Sequence, residues 1–94
     1  MLSNLRDSAE STMTLARAIR SRRRTLKLTQ EDLSDMSDVS LRLIHEVEHG
    51  KESIQLGKLM KILGGLGMHL ELRLGATEHI SVDPAIVQLA REHT

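Results

Sequence analysis

Three residues in the middle of the chain satisfy a zinc-hydrolase pattern. His45, Glu46 and His49 read H-E-x-x-H, in which two histidines four residues apart share one helix face and bind zinc while the glutamate acts as general base. The stretch is short, it stops at Gly50, and no third ligand follows at a familiar spacing. We interpret the pattern as coincidental and keep a small zinc hydrolase as an alternative. The leading expectation is a protein without metal, cofactor or enzymatic activity.

A basic segment is the second group that could carry chemistry. The net charge is zero, yet residues 17–27 contain six cations and no acid: Arg17, Arg20, Arg22, Arg23, Arg24 and Lys27. Such a segment fits phosphate contact by one face of the protein, and a solvated helix face explains the charge equally well. The chain has no Phe, Tyr or Trp, which disfavours RNA-binding sheets and single-strand grooves because these stack bases on aromatic side chains. A protein that reads double-stranded DNA needs no such platform.

Composition limits the class of protein. Ninety-four residues with 39% hydrophobic and 28% charged residues are typical of one globular domain. The chain has no cysteine, no apolar run long enough to span a membrane and no signal-like apolar start. We therefore expect a cytoplasmic protein with no membrane association.

Periodicity and capping residues predict an all-α bundle around these groups. Apolar spacing indicates a first helix over residues 15–26. Thr29, three residues before Asp32, is close to a capping box that would begin a second helix over residues 30–37. Ser40 would begin a third helix that ends at Gly50, and a broad apolar stripe from Leu56 to Leu66 predicts a fourth.

The pattern changes after the fourth helix. Apolar and polar residues alternate strictly over residues 68–74, with Met68, Leu70, Leu72 and Leu74 on one face, and this predicts a β-strand. A lone strand cannot satisfy its own backbone groups, so we predict that it pairs with its copy across a homodimer. A short extension of the fourth helix is the alternative.

These elements divide the chain into four parts. We expect a flexible N-terminal arm over residues 1–13 and a helix-turn-helix DNA-binding domain over residues 14–67. A dimerisation strand over residues 68–74 follows, and then a C-terminal tail over residues 75–94 with a short helix starting near Asp83.

The second and third helices have the layout in which the later helix enters the major groove of DNA. Ile44 and Val47 are spaced to face the core. The residues left on the outside, which we predict to contact bases, are Leu41, Arg42, His45 and Glu46.

The same residues carry a family resemblance. The chain resembles the XRE, or lambda-repressor-like, helix-turn-helix domains in the following residues: Leu28-Thr29-Gln30-Glu31-Asp32-Leu33, Val39-Ser40, Ile44, Val47-Glu48 and Gly50-Lys51. Its continuation through residues 55–74 is similar to HipB-like antitoxins, which repress their own operon and bind a HipA-like kinase toxin. The resemblance covers roughly residues 15–74.

The resemblance also implies residue roles. It implies a structural ion pair between Arg23 and Glu48, and base reading by Arg42, His45 and Glu46. Leu41 could press on a thymine methyl group. The residues implied to contact phosphate are Thr29, Gln30, Ser40, Lys51 and Ser53, most of them short polar groups or helix starts suited to it.

Asp38, Leu41 and Glu46 depart from the family pattern. Asp38 stands where these domains usually have glycine, and Asp tolerates the left-handed conformation better than most residues. Glu46 would be repelled by phosphates, although it could accept a hydrogen bond from cytosine. The sequence thus predicts a dimeric repressor of double-stranded DNA that serves as the antitoxin for a HipA-like kinase. A free-standing XRE-type regulator is the alternative.

Overall fold

A computed structural model describes residues 2–75 and 80–86 of the chain, with side chains from residue 11 onward. Four helices occupy these residues: α1 Leu2–Thr25, α2 Gln30–Ser37, α3 Leu41–Glu48 and α4 Leu56–Gly65. Residues 84–86 are also helical; the rest of the predicted tail helix lies outside the described residues. The expectation of a helical bundle is confirmed. No helix in the described part of the chain combines the length and apolar character needed to cross a bilayer.

The first helix is much longer than the periodicity indicated. It begins at Leu2, so residues 2–13 continue α1 where the sequence had suggested an arm. No glycine or proline interrupts these residues, and extending an existing helix is far easier than nucleating a new one. Met13 adds a tertiary contact, because its sulfur lies against Gly50, in the place that a Cβ would take there.

A core of branched aliphatic side chains lies where the four helices meet. Its buried members are Ile19, Leu33, Ile44, Val47, Leu59, Ile62, Leu63 and Leu66. Burying a side chain of this kind stabilises the fold by about 1.5–3 kcal/mol. Helices α2 and α4 come especially close at Gly65, where an added Cβ would lie 2.7 Å from Ser37 Oγ.

Local capping fixes both ends of α2. The Thr29 hydroxyl accepts from the Asp32 backbone N–H at 3.0 Å, and the Asp32 carboxylate accepts from the Thr29 N–H at 2.9 Å. This is the capping box that the sequence indicated. The helix ends at Asp38, whose φ of 53° and ψ of 48° are left-handed. Asp38 therefore adopts the left-handed conformation that the sequence required of it, and it directs the chain into α3.

Residues 68–74 form neither a helix nor a paired strand within the described chain. Because α4 ends at Gly65, the alternative of a longer fourth helix is wrong. Met68 packs against the core and its N–H donates to the Leu63 carbonyl at 2.8 Å. Beyond it Leu72 and Leu74 are fully exposed. Pairing of this segment across a dimer stays a prediction.

Candidate nucleic-acid interface

Helix α3 separates a core face from an outer face. Ile44, Val47 and Glu48 are buried, whereas Leu41, Arg42 and His45 are exposed. Glu46, the fourth predicted base-contacting residue, is half-buried at the edge of the outer face. Ser40 begins the helix, its hydroxyl accepting from the Leu43 N–H at 3.1 Å. All four predicted base-contacting residues are thus on or beside the face turned away from the core.

The inner face is fixed by an ion pair between α1 and α3. Arg23 binds Glu48 with two hydrogen bonds, Nε to Oε2 at 2.6 Å and Nη2 to Oε1 at 2.8 Å. Gln30 Nε2 donates to the same carboxylate at 3.3 Å, and Arg20 donates to the Glu48 carbonyl at 3.2 Å. The Glu48 side chain is only 1% exposed. These contacts connect α3 to α1 and to the first residue of α2, so they set the orientation of the outer face.

The outer face carries a second carboxylate between two cations. Glu46 Oε1 accepts from Arg42 Nε at 2.9 Å, and Glu46 Oε2 accepts from Lys51 Nζ. The hydrogen bond from Lys51 is the largest cause that lowers the pKa of Glu46 below its ordinary value; desolvation opposes it, and the hydrogen bond from Arg42 lowers the pKa further. Glu46 is therefore ionised at neutral pH. It forms ion pairs with Arg42 and Lys51, the two cations predicted to contact DNA.

The turn after α3 places Lys51 beside Glu46. Gly50 has a φ of 87°, a left-handed conformation that glycine adopts without strain. Its N–H donates to the Val47 carbonyl and the Lys51 N–H donates to the Glu46 carbonyl, both at 3.1 Å. This pair of bonds is a Schellman helix end. It folds the chain back over the last turn of α3, and the Lys51 side chain returns to the outer face.

The predicted phosphate-contacting residues lie at the three connections between the helices: Thr29 and Gln30 at the start of α2, Ser40 before α3, and Lys51 and Ser53 between α3 and α4. Thr29, Ser40, Lys51 and Ser53 are exposed and Gln30 is half-buried. The hydroxyls of Thr29 and Ser40 already accept hydrogen bonds that cap α2 and α3. The exposed parts of these two side chains that a phosphate could contact therefore lie beside the helix starts. Gln30 reaches inward to Glu48, so its side chain supports α3 from the core side.

Sequence reasoning missed a groove that adjoins this surface. It measures about 400 Å³ and is lined by Leu43, Lys51, Ser53, Ile54, Gln55 and Lys58. Helix α4 starts here without a side-chain cap or an acid in its first turn, so its N-terminal amides and Lys58 give the groove positive character. A lysine in the first turn of a helix without a capping side chain was the available signal.

Much of the basic segment serves the fold. Arg23 is bound to Glu48, Arg20 to the Glu48 carbonyl, and Arg22 Nε donates to the Leu66 carbonyl at 2.9 Å. Arg17 and Arg24 remain exposed on α1, and Lys27 is exposed in the turn that follows it. Both interpretations of this segment therefore overlooked its role in joining α1 to α3 and to the end of α4.

The zinc-hydrolase pattern is present in sequence but its members have other contacts. Glu46 is bound to Arg42 and Lys51, and His49 Nδ1 lies 2.7 Å from the His45 carbonyl. The two imidazole rings are 4.2 Å apart between centroids. Among the described residues no group of three side chains could hold a metal ion.

Two short helices, a tight turn and an outward face on the second helix define a helix-turn-helix. The helix-turn-helix family model matches residues 19–72, more than half of the chain, and the chain belongs to this family. The predicted class of fold is confirmed.

One curated relative supports the same assignment. The chain is 34% identical over 50 residues to the "Uncharacterized HTH-type transcriptional regulator y4mF" of Sinorhizobium fredii (strain NBRC 101917 / NGR234). That alignment covers 53% of this chain and 66% of the relative, slightly less than two thirds of its length. No solved structure matches the chain.

Proposed function

We propose that this protein binds double-stranded DNA at specific sequences and regulates transcription, with α3 lying in the major groove. The observation that supports it most is the construction of α3: a buried Arg23–Glu48 pair holds the inner face, and Arg42 projects from the outer face with its side chain 89% exposed. A helix held in this way can press its outer residues against base edges. The family membership and the similarity to a protein named as a transcriptional regulator agree with this function.

The outer residues have distinct roles in this proposal. Arg42 donates two hydrogen bonds to a guanine, Leu41 contacts a thymine methyl group, and His45 contacts an adjacent base. The phosphate contacts come from the connections between the helices, namely Thr29, Gln30, Ser40, Lys51 and Ser53, with Lys58 added by the groove. Because these contacts release counterions, binding weakens steeply with salt.

A dimer is part of the same proposal. The row of side chains at Leu70, Leu72 and Leu74 is exposed in the single chain, and residues 68–74 offer unpaired backbone groups that a second copy can satisfy. Two α3 helices would then meet successive major grooves of an inverted repeat, about 34 Å apart. We expect Leu72→Arg with Leu74→Arg to yield monomers in analytical ultracentrifugation and to lose most affinity for a two-half-site duplex. A double variant that stays dimeric would place the interface elsewhere.

The role as a repressing antitoxin rests on the resemblance of residues 55–74 to HipB-like proteins. In that form of the proposal the protein represses its own operon and binds a HipA-like kinase. Co-purification with a kinase encoded by the neighbouring reading frame separates an antitoxin from a free-standing regulator, because the latter would be recovered alone.

The test of the central proposal is selection from a random duplex library at low salt, followed by fluorescence anisotropy with the selected duplex and with a scrambled one. We expect the selected duplex to bind at least about a thousandfold more tightly. A chain whose circular dichroism is helical but which binds neither duplex, alone or with a partner protein, would contradict the proposal.

A further inference from the structure

We propose that Glu46 is an internal competitor for DNA: it occupies Arg42 and Lys51 in the free protein, and a duplex displaces it only where the bases offer Arg42 a better partner. This inference rests on the proposed function. It assigns Glu46 a different role from direct reading of cytosine, because the residue acts through the two cations that it holds.

Both oxygens of the Glu46 carboxylate are used. Oε1 lies 2.9 Å from Arg42 Nε and Oε2 binds Lys51 Nζ, so the side chain links the middle of α3 to the loop after it. With two positive groups and one negative group, this cluster carries a net charge of +1. Removing the carboxylate charge would raise it to +2.

The exposure of the three side chains makes exchange feasible. The Arg42 side chain is 89% exposed, that of Lys51 39% and that of Glu46 28%. Ion pairs as exposed as these add little to stability because water and salt screen them. Stabilising the helix is therefore a weak explanation for the arrangement, and the pairs can open when a stronger partner arrives.

A duplex supplies such partners unequally. Any duplex offers phosphates to Lys51, but only a guanine at the right position offers Arg42 two acceptors in the plane of its guanidinium. At other sequences Arg42 stays paired with Glu46, and its charge is not available to the duplex. Glu46 thus weakens binding everywhere, and weakens it least at the matching site. Specificity obtained by penalising wrong partners is a known strategy in recognition.

The decisive variant is Glu46→Gln, which keeps the size of the side chain and removes its charge. Its matched control is Glu52→Gln, which removes the same charge from the adjoining loop; in the part of the chain that the structure describes, Glu52 has no ion-pair partner. Anisotropy with the selected and the scrambled duplex over a series of salt concentrations gives both affinity and salt slope. Circular dichroism and thermal melting confirm that each variant is folded.

We expect Glu46→Gln to bind the scrambled duplex about five- to tenfold more tightly and the selected duplex with a smaller gain, so that the specificity ratio falls. For this variant, the slope of log affinity against log salt concentration should steepen by about 0.9 for each α3 helix bound, since one more phosphate charge is neutralised. Glu52→Gln should change both affinities alike. Equal behaviour of the two variants, or an unchanged specificity ratio in Glu46→Gln, would overturn the inference while leaving the proposed function intact.

A second background separates competition from direct repulsion. In a protein that already carries Arg42→Ala and Lys51→Met, Glu46 has no cation to occupy, so adding Glu46→Gln should do no more than Glu52→Gln does. If Glu46→Gln still tightens scrambled-duplex binding there, the carboxylate acts on phosphates directly and the competition is refuted. A wild-type chain that binds no duplex at all would remove the proposed function, and this inference with it.

Discussion

Helix α3 carries two glutamates, Glu46 and Glu48, that are two residues apart and have opposite surroundings. Residues at this spacing point to different sides of a helix. Glu48 is 1% exposed and faces α1, whereas Glu46 is 28% exposed and faces outward. Each carboxylate is bound by an arginine and by a second side chain, Gln30 in one case and Lys51 in the other.

The comparison shows that burial decides what such a cluster does. Around Glu48 the partners are largely buried, so solvent screens the pair little and the pair holds two helices in one orientation. Around Glu46 the partners are exposed, so they can be exchanged for groups on DNA. In our proposal, the same chemistry therefore serves structure on one face of α3 and DNA recognition on the other.

The largest expected effect comes from breaking the inner cluster. Glu48→Ala leaves the Arg23 guanidinium, which is 11% exposed, without its counter-charge, and losing one partner of a buried pair destabilises a protein by about 3–5 kcal/mol. Since small domains have a total stability of about 5–15 kcal/mol, urea denaturation should show a large drop in midpoint. The matched outer variant, Glu46→Ala, should leave the midpoint nearly unchanged.

A double variant tests whether the loss is due to the unpaired charge. Arg23→Met with Glu48→Leu replaces the pair by apolar side chains, which often restores the stability lost by breaking such a pair. We expect it to be clearly more stable than Glu48→Ala. If Glu48→Ala has the same urea midpoint as the wild type, the Glu48 cluster does not stabilise the fold in solution, and the two clusters do not differ in the way proposed.

The next effect concerns the outer cluster. Arg42→Ala should leave the unfolding midpoint unchanged, because its side chain is almost fully exposed, but should weaken binding to the selected duplex by about 1–3 kcal/mol and relax one base preference. Arg17→Ala, which removes an exposed arginine from α1, should affect selected and scrambled duplexes alike. Were Arg42→Ala to weaken both duplexes equally, Arg42 would contact only the DNA backbone.

The division of α3 into two faces was predictable from sequence. The spacing of Ile44 and Val47 identified the buried side, and it therefore assigned Arg42 and His45 to the other. The bounds of α2 were equally accessible, since Thr29 and Asp32 form a capping box whose bonds span only three residues. Structural features that depend only on residues close together in the sequence leave a local sequence pattern, and they can be predicted from it.

Contacts between distant parts of the chain left no such pattern. Arg22 is 44 residues from its acceptor at Leu66, and nothing around Arg22 distinguishes a fold-stabilising arginine from a phosphate-binding one. The position of Lys51 on Glu46 depends on the left-handed turn at Gly50, which the sequence suggested without showing where the lysine would point. The resemblance supplied the Arg23–Glu48 pair, but charge alone could not have chosen Arg23 among its neighbours.

The smallest expected effect is in the titration of Glu46, whose pKa is lowered first by Lys51 and then by Arg42. We expect Lys51→Met to raise this pKa more than Arg42→Ala does, as measured by carboxyl ¹³C NMR. The pKa of Asp32, lowered by the Thr29 backbone hydrogen bond, should move in neither variant and serves as the control. A Glu46 pKa that rises in Arg42→Ala but not in Lys51→Met would mean that the lysine pair does not persist in solution.

The sign of the pH dependence follows from the same lowered pKa. Because the folded value lies below the unfolded one, the contribution of the Glu46 cluster to stability is complete at neutral pH and is lost as the pH falls below about 4 and through the folded pKa. The loss should be slight, since the cluster is exposed. Protonation at that pH also frees Arg42 and Lys51, so wild-type binding to scrambled DNA should approach that of Glu46→Gln. Equal pH dependence in the two proteins would show that the carboxylate does not restrain these cations.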